Sequence, residues 1–219
     1  MSKPRRQPFL CRLYQQYLED QDTTAFIQKV GERYTTGTLE RLAQHSARSC
    51  RRASVLALSM LAGYEANPVL GRALNDRDRG VRTLAENGIR SIWCRAGNEA
   101  QRKKLGVIIR LNGNRRFREA AEEAEELIQA APWFAEAWNQ RAVALYHQGS
   151  YLESINDCLQ TLEVNPYHFG AASGMGQCYL QLGDRAAALE AFRRALKLNP
   201  NLEGVRATVT YLERALKRS

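Results

Sequence analysis

The sequence holds none of the paired ligands that gather a metal. Five cysteines, Cys11, Cys50, Cys94, Cys158 and Cys178, are scattered, odd in number and never fall as Cys-x-x-Cys. That pattern argues against a zinc site and against a disulfide framework. It reads as small buried thiols in a reducing compartment. The only histidines are His45, His147 and His168; none lies four residues from another and none sits in His-Glu-x-x-His. Gly-x-Ser-x-Gly, the P-loop and Gly-x-Gly-x-x-Gly are all missing. No catalytic residue, no metal and no cofactor is expected, so the chain is not read as an enzyme. Long apolar runs are missing too. The longest, residues 53–62, is short and interrupted by Ser54 and Ser59. Residues 1–8 are basic with no apolar stretch of signal-peptide length behind them. A cytoplasmic protein without membrane contact is the expectation.

Charge is present in excess, and it is uneven. The net charge is +9, with 19 Lys and Arg against 10 Asp and Glu over residues 1–104, and 13 of each over residues 105–219. Lysines number only six, so the basic side chains are mostly Arg. Arginine makes planar bidentate contacts to carboxylate and phosphate. The acidic run from Glu119 to Glu126 reads as the solvated face of a helix.

Internal repetition decides the fold class. Pro132, Pro166 and Pro200 are spaced by 34 residues, as are Ala120, Ser154 and Ala188, and Ile128, Leu162 and Leu196. Gly149 and Gly183 keep the same offset, and no gap is needed over residues 101–202. Each unit reads as two amphipathic helices. The residue before proline is pushed out of the α region, which ends the second. Such helices are too short to be stable alone, and stacking buries their apolar faces.

The third unit places Gly176, Tyr179, Ala188, Phe192, Ala195 and Pro200 in a pattern that resembles the tetratricopeptide repeat (TPR) family. The second has Trp138, Gly149, Tyr151 and Pro166, but Arg141, Ser154, Cys158 and Thr161 replace small or apolar signature residues. The first has Leu111, Phe117, Ala120 and Pro132 and matches least. A last amphipathic helix carries Val205, Val209, Leu212 and Leu216. Phe192 and Tyr179 are expected between neighbouring helices of the third unit.

Upstream, a 31-residue offset links Arg41 to Arg72, Arg48 to Arg79, Arg51 to Arg82 and Leu58 to Ile89. The segment 73–85, with Asp76 and Val81-Arg82, resembles a HEAT repeat. The earlier unit has His45 where the Asp belongs. The resemblance implies that Arg82 pairs with Asp76. Asp22 is a candidate cap for a helix carrying Phe26, Ile27, Val30 and Tyr34.

The expected architecture is all-α: an α-solenoid of stacked helical hairpins, HEAT-like and then TPR. Its segments are a hairpin over 1–36, HEAT-like units over 37–97, three TPR units over 98–202 and a capping helix over 203–219. About thirteen helices and no sheet are expected.

In the TPR family the first helix of each hairpin lines an inner groove. The resemblance therefore implies a peptide groove of Arg102, Leu105 and Ile109, then Glu136, Asn139, Val143, Tyr146 and His147, then Ser173, Gln177, Leu180 and Gln181. Asn and Gln there suit an extended peptide, whose main chain offers both donors and acceptors. Some TPR proteins grip a terminal carboxylate through a Lys and Asn clamp. Leu105 and Ile109 occupy those places here and Gly174 the accompanying Arg place, so that specificity is not expected. In the basic half, Arg48, Arg52 and Arg79 fall near helix N-termini and form a candidate anion site. Its partner is an acidic protein segment or nucleic acid, although no aromatic residues interleave for base stacking. The functional expectation is a protein-interaction adaptor. The alternative is a nucleic-acid-associated protein.

Overall fold

The computed structural model describes residues 8–217; these hold thirteen α-helices, one short 3-10 turn and no strand. Residues 1–7, the basic stretch considered for a leader, and the last two residues of the expected cap lie outside the described residues. None of the helices is long and apolar enough to cross a membrane. The chain divides into two compact units, Met1–Ile92 and Trp93–Ser219.

The first unit begins with α1 (Phe9–Asp20) and α2 (Thr23–Gly31). Asp22 caps α2, accepting from the Ala25 N–H at 2.9 Å as its residue type suggests. Leu10, Leu13, Tyr14, Phe26 and Val30 are buried between these helices and α4 (Arg48–Leu61), which follows α3 (Thr36–Leu42). The packing of α1 on α4 corrects the cysteine reading. Cys11 and Cys50, 39 residues apart, are joined in a disulfide with Cα atoms 5.3 Å apart. A contact made by helix packing leaves no trace in cysteine spacing.

Next come α5 (Asn67–Ala73) and α6 (Arg79–Arg95). The 31-residue offset is physical. Arg51 donates to the carbonyls of His45 and Ser46, and Arg82, one offset on, donates to those of Asp76 and Arg77. His45 Nδ1 accepts from the N–H two residues on at 3.0 Å, and Asp76 does the same at 2.8 Å. His45 thus performs the turn chemistry of the missing Asp. The expected Arg82–Asp76 ion pair is corrected. Asp76 is held instead by Arg51, at 2.7 and 2.9 Å. Arg51 sits on the preceding hairpin, so the pair fastens one 31-residue unit to the next. Burial pushes Asp76 up, but the Arg51 bonds and charge together with the Asp78 N–H outweigh it, and its carboxyl lies below the ordinary value. Asp78 forms a second bidentate pair with Arg52, at 2.7 and 2.9 Å, and caps α6 through the Val81 N–H. Chiefly through the Arg52 bonds, its pKa falls from 3.8 to about 2.

The second unit stacks three hairpins and a final helix. They are α7 (Glu99–Gly113) with α8 (Phe117–Ala130), α9 (Ala135–Gln148) with α10 (Tyr151–Val164), α11 (Phe169–Gln181) with α12 (Arg185–Leu198), and α13 (Glu203–Leu216). A capping box between Asn98 and Gln101 opens α7. All three hairpin turns close by the same two bonds. The N–H groups of Arg115, Gly149 and Gly183 reach the carbonyl three residues back, and the next N–H reaches five back. The turn requires positive φ: +82° at Gly149, +81° at Gly183 and 62° at Arg115. The first of these three hairpins therefore uses Arg where its sisters use Gly, which is one reason its sequence matches least well. In the third unit Phe192 is fully buried as expected, with Tyr179 half-buried beside it. A Cβ on Gly176 would stand 2.5 Å from the Phe192 ring, so only glycine admits this approach.

Two tests follow from these turns. Arg115→Gly removes a side chain from a left-handed position, offset by the freer unfolded chain, and should stabilise by about 0.5–1 kcal/mol. A denaturation midpoint that stays still or falls would contradict the turn assignment. Asp78 has a depressed folded pKa, so its contribution is present above its ordinary value and fades as pH drops from about 4 through about 2. Asp78→Asn keeps the cap but should flatten that acid limb in thermal melts. Parallel pH profiles for parent and variant would count against the Arg52 pair.

Candidate functional site

A buried carboxylate organises the second unit. Glu136, at the start of α9, is 6% exposed. Its Oε1 accepts from Asn139 Nδ2 at 3.0 Å and from Gln140 Nε2 at 2.8 Å, and its Oε2 lies 3.0 Å from His168 Nε2. His168 Nδ1 accepts from the Ala171 N–H at 3.0 Å and so caps α11. The ring proton therefore sits on Nε2 and is donated to Glu136. Trp93 stacks on the imidazole at 4.1 Å between centroids. Burial raises the Glu136 pKa, yet the donors, His168 foremost, outweigh it and hold the group below its ordinary value.

This network aims a neighbour. Glu136 is accept-only, so Asn139 must turn its amide nitrogen toward it, and the same residue lines a cavity of about 140 Å³ between α9 and α11. Asn139, Val143, Tyr146 and His147 line it from α9, and Gly170, Gly174 and Gln177 from α11. Ala142, Ser154 and Cys158 complete it. No Asp, Glu, Lys or Arg is among these residues. The volume falls well below that of sites for drug-sized ligands, roughly 300–1,000 Å³, and suits a single side chain. Tyr146 is steadied by Gln181, whose amide lies 3.4 Å from the hydroxyl, and by edge contact with His147. His147 in turn stacks on Phe117 at 4.4 Å.

Of the expected groove residues, the structure brings Asn139, Val143, Tyr146, His147 and Gln177 together, with Gln181 adjacent. Two are corrected. Leu105 is 1% exposed and belongs to the core of its hairpin, and Glu136 is buried beneath Asn139. Arg102 and Ile109 are exposed on α7, while Ser173 is half-buried on α11; none of the three lines the cavity. Ala142, Ser154, Cys158 and Gly170 were missed. Ala142 comes from the packed side of α9, Ser154 and Cys158 from α10, and Gly170 from the first turn of α11, where small or apolar spacing signals core and not site. In the first unit, Arg52 spends its charge on Asp78, and Arg48 adds to the field that lowers that carboxyl. Arg79 is exposed. The three do not form a row of uncommitted cations.

The irregular residues of the hairpin formed by α9 and α10 make a compensated set. Arg141 grips Asp157 at 2.7 Å through both guanidinium arms, touches Glu125 and lies 5.0 Å over the Trp138 ring. Ser154 donates to the Ala142 carbonyl and Thr161 to that of Asp157, both at 2.8 Å. Each polar intrusion has its partner, so the unit keeps its packing without the usual signature.

Residues 133–201 match the tetratricopeptide repeat family. A TPR repeat-containing protein of Rhizobium etli is 30% identical over 125 residues, which cover 57% of this chain and 61% of that one. The Hsp70-Hsp90 organizing protein of Triticum aestivum is 32% identical over 100 residues, 46% of this chain and 17% of that one. The matched segment thus spans less than two thirds of either relative. Among solved structures, the first TPR of Spaghetti bound to an HSP90 peptide superposes with TM-score 0.49 at 20% identity, covering 52% of this chain and 94% of that one.

The Arg141–Asp157 pair can be tested directly. Asp157→Leu should cost roughly 2–3 kcal/mol, less than a fully buried pair because Arg141 keeps Glu125. Adding Arg141→Leu should recover most of that loss in chemical denaturation. A double variant no more stable than the single would show that the pair is not the compensation described.

Proposed function

We propose that the second unit binds an extended peptide segment of a partner protein, and that the chain acts as a non-enzymatic interaction adaptor. One apolar side chain of the peptide enters the cavity between α9 and α11. Its main chain is held by the carbonyl oxygen of Asn139 and the amide of Gln177. The observation that carries this reading is the fixed Asn139 amide at a small uncharged cavity. A buried network that predetermines one hydrogen-bonding direction lowers the ordering cost of binding. The TPR match and the organizing-protein relative support a protein partner. Leu105, Ile109 and Gly174 stand where a carboxylate clamp would need polar side chains, so the segment bound is internal or its terminus goes unused. Nucleophilic chemistry is disfavoured, because burial pushes the Cys94 thiol up to about 11 and also raises Cys158 and Cys178.

Peptides selected from a displayed random library on the intact chain provide the test. Their affinity should change little with ionic strength, since no charged group lines the cavity. Asn139→Ala with Gln177→Ala should weaken them by about tenfold to a hundredfold, two hydrogen bonds' worth. Selected peptides that bind this double variant as tightly as the parent would refute the proposal.

A further inference from the structure

The first unit has a cavity of its own, about 480 Å³, between the 43–47 turn and α5. Its floor is apolar: Ala43, Val69 and Ala73 are buried. Three arginines line it, Arg51, Arg72 and Arg77, but only one acidic residue, Asp76. Arg51 and Asp76 neutralise each other in the bidentate pair described above. Arg72 and Arg77 are exposed, and no carboxylate among the described residues lies within ion-pair distance of either. Arg77 donates to the Ser46 carbonyl at 3.2 Å, which anchors the guanidinium at the rim and leaves its charge intact. An apolar floor and two uncompensated cations therefore face the same opening.

We infer that this cavity docks an acidic segment of a partner protein, with a Glu or Asp carboxylate between Arg72 and Arg77 and an aliphatic neighbour on Val69 and Ala73. Charge complementarity selects the occupant's sign, and the floor selects its class. A nucleic-acid backbone wants a row of cations and flat rings for its bases. Here the next arginines along the turns, Arg51 and Arg52, are committed to Asp76 and Asp78, and no Phe, Tyr or Trp lines the cavity. An acidic side chain beside an aliphatic one meets both halves of the lining. Arginine's fork suits the carboxylate, and its weak hydration suits a half-buried contact. The site does not depend on the peptide cavity of the second unit.

The test uses the full chain and a fluorescein-labelled peptide of alternating Glu and Leu, read by fluorescence anisotropy. Binding is expected to weaken as salt rises and to vanish when Gln replaces Glu in the peptide. Arg72→Glu with Arg77→Glu should lower affinity by about tenfold or more, whereas Arg48→Glu with Arg79→Glu, an equal change in net charge outside the cavity, should lower it by less than about twofold. Thermal melts check that both variants fold, and Arg72→Gln with Arg77→Gln gives the same comparison if charge reversal unfolds the chain. Equal losses in the two pairs of variants would reduce the effect to overall charge and overturn the site. It would also be overturned by a single-stranded oligonucleotide that displaces the peptide and depends on Arg72 and Arg77 more strongly than the peptide does.

Discussion

An ionised carboxylate inside a helical repeat must be surrounded by donors or be expelled, and the second unit is arranged to keep one. Glu136 takes three side-chain donors from two hairpins. The His168 contact crosses 32 residues of sequence, and through Nδ1 the same ring caps the helix that opens the next hairpin. One residue thus satisfies the charge below and the helix end above. Removing either partner would leave a buried group unpaired, which costs more than the bond itself contributes. The surface consequence is the fixed direction of Asn139, so the candidate peptide site inherits its geometry from an interaction that solvent does not reach.

The first unit solves the same stacking problem with a largely buried ion pair between successive hairpins. Arg51 holds its own turn by two carbonyls and the next by Asp76, so a single guanidinium spends its donors on both sides of the junction. This is efficient use of a planar fork that lysine could not reproduce. It also explains the unevenness of the positive charge. Part of the arginine excess in this half is structural, and the count of free cations is smaller than composition implies.

Much of the architecture was legible because a 34-residue period fixes where prolines, glycines and small residues must fall. Phe192 sits against Gly176 as that register requires. What escaped were contacts between residues whose separation is set by packing. Arg141 looked like a defect until Asp157, on the facing helix, supplied its partner. Arg115 stands in a left-handed turn that its residue type does not announce. Arg82 was matched to Asp76 by a family habit, while the chain uses Arg51 from the preceding hairpin. Cys11 and Cys50 meet only because α1 lies on α4. In the groove, helical position identified Asn139 and Gln177 but also offered Glu136 and Leu105. Position on a helix does not say which way a neighbouring hairpin will close over a side chain.

The stack of Trp93 on His168 has an optical side. An indole against an imidazole loses emission when that ring becomes cationic, through electron transfer, and loses far less beside the neutral tautomer that Glu136 selects. Trp133 is 53% exposed and Trp138 lies under the Arg141 guanidinium, so the three indoles occupy three distinct surroundings. The unit therefore carries its own spectroscopic label at the junction of its hairpins, and disturbance of the buried carboxylate is written into the colour and lifetime of a single ring.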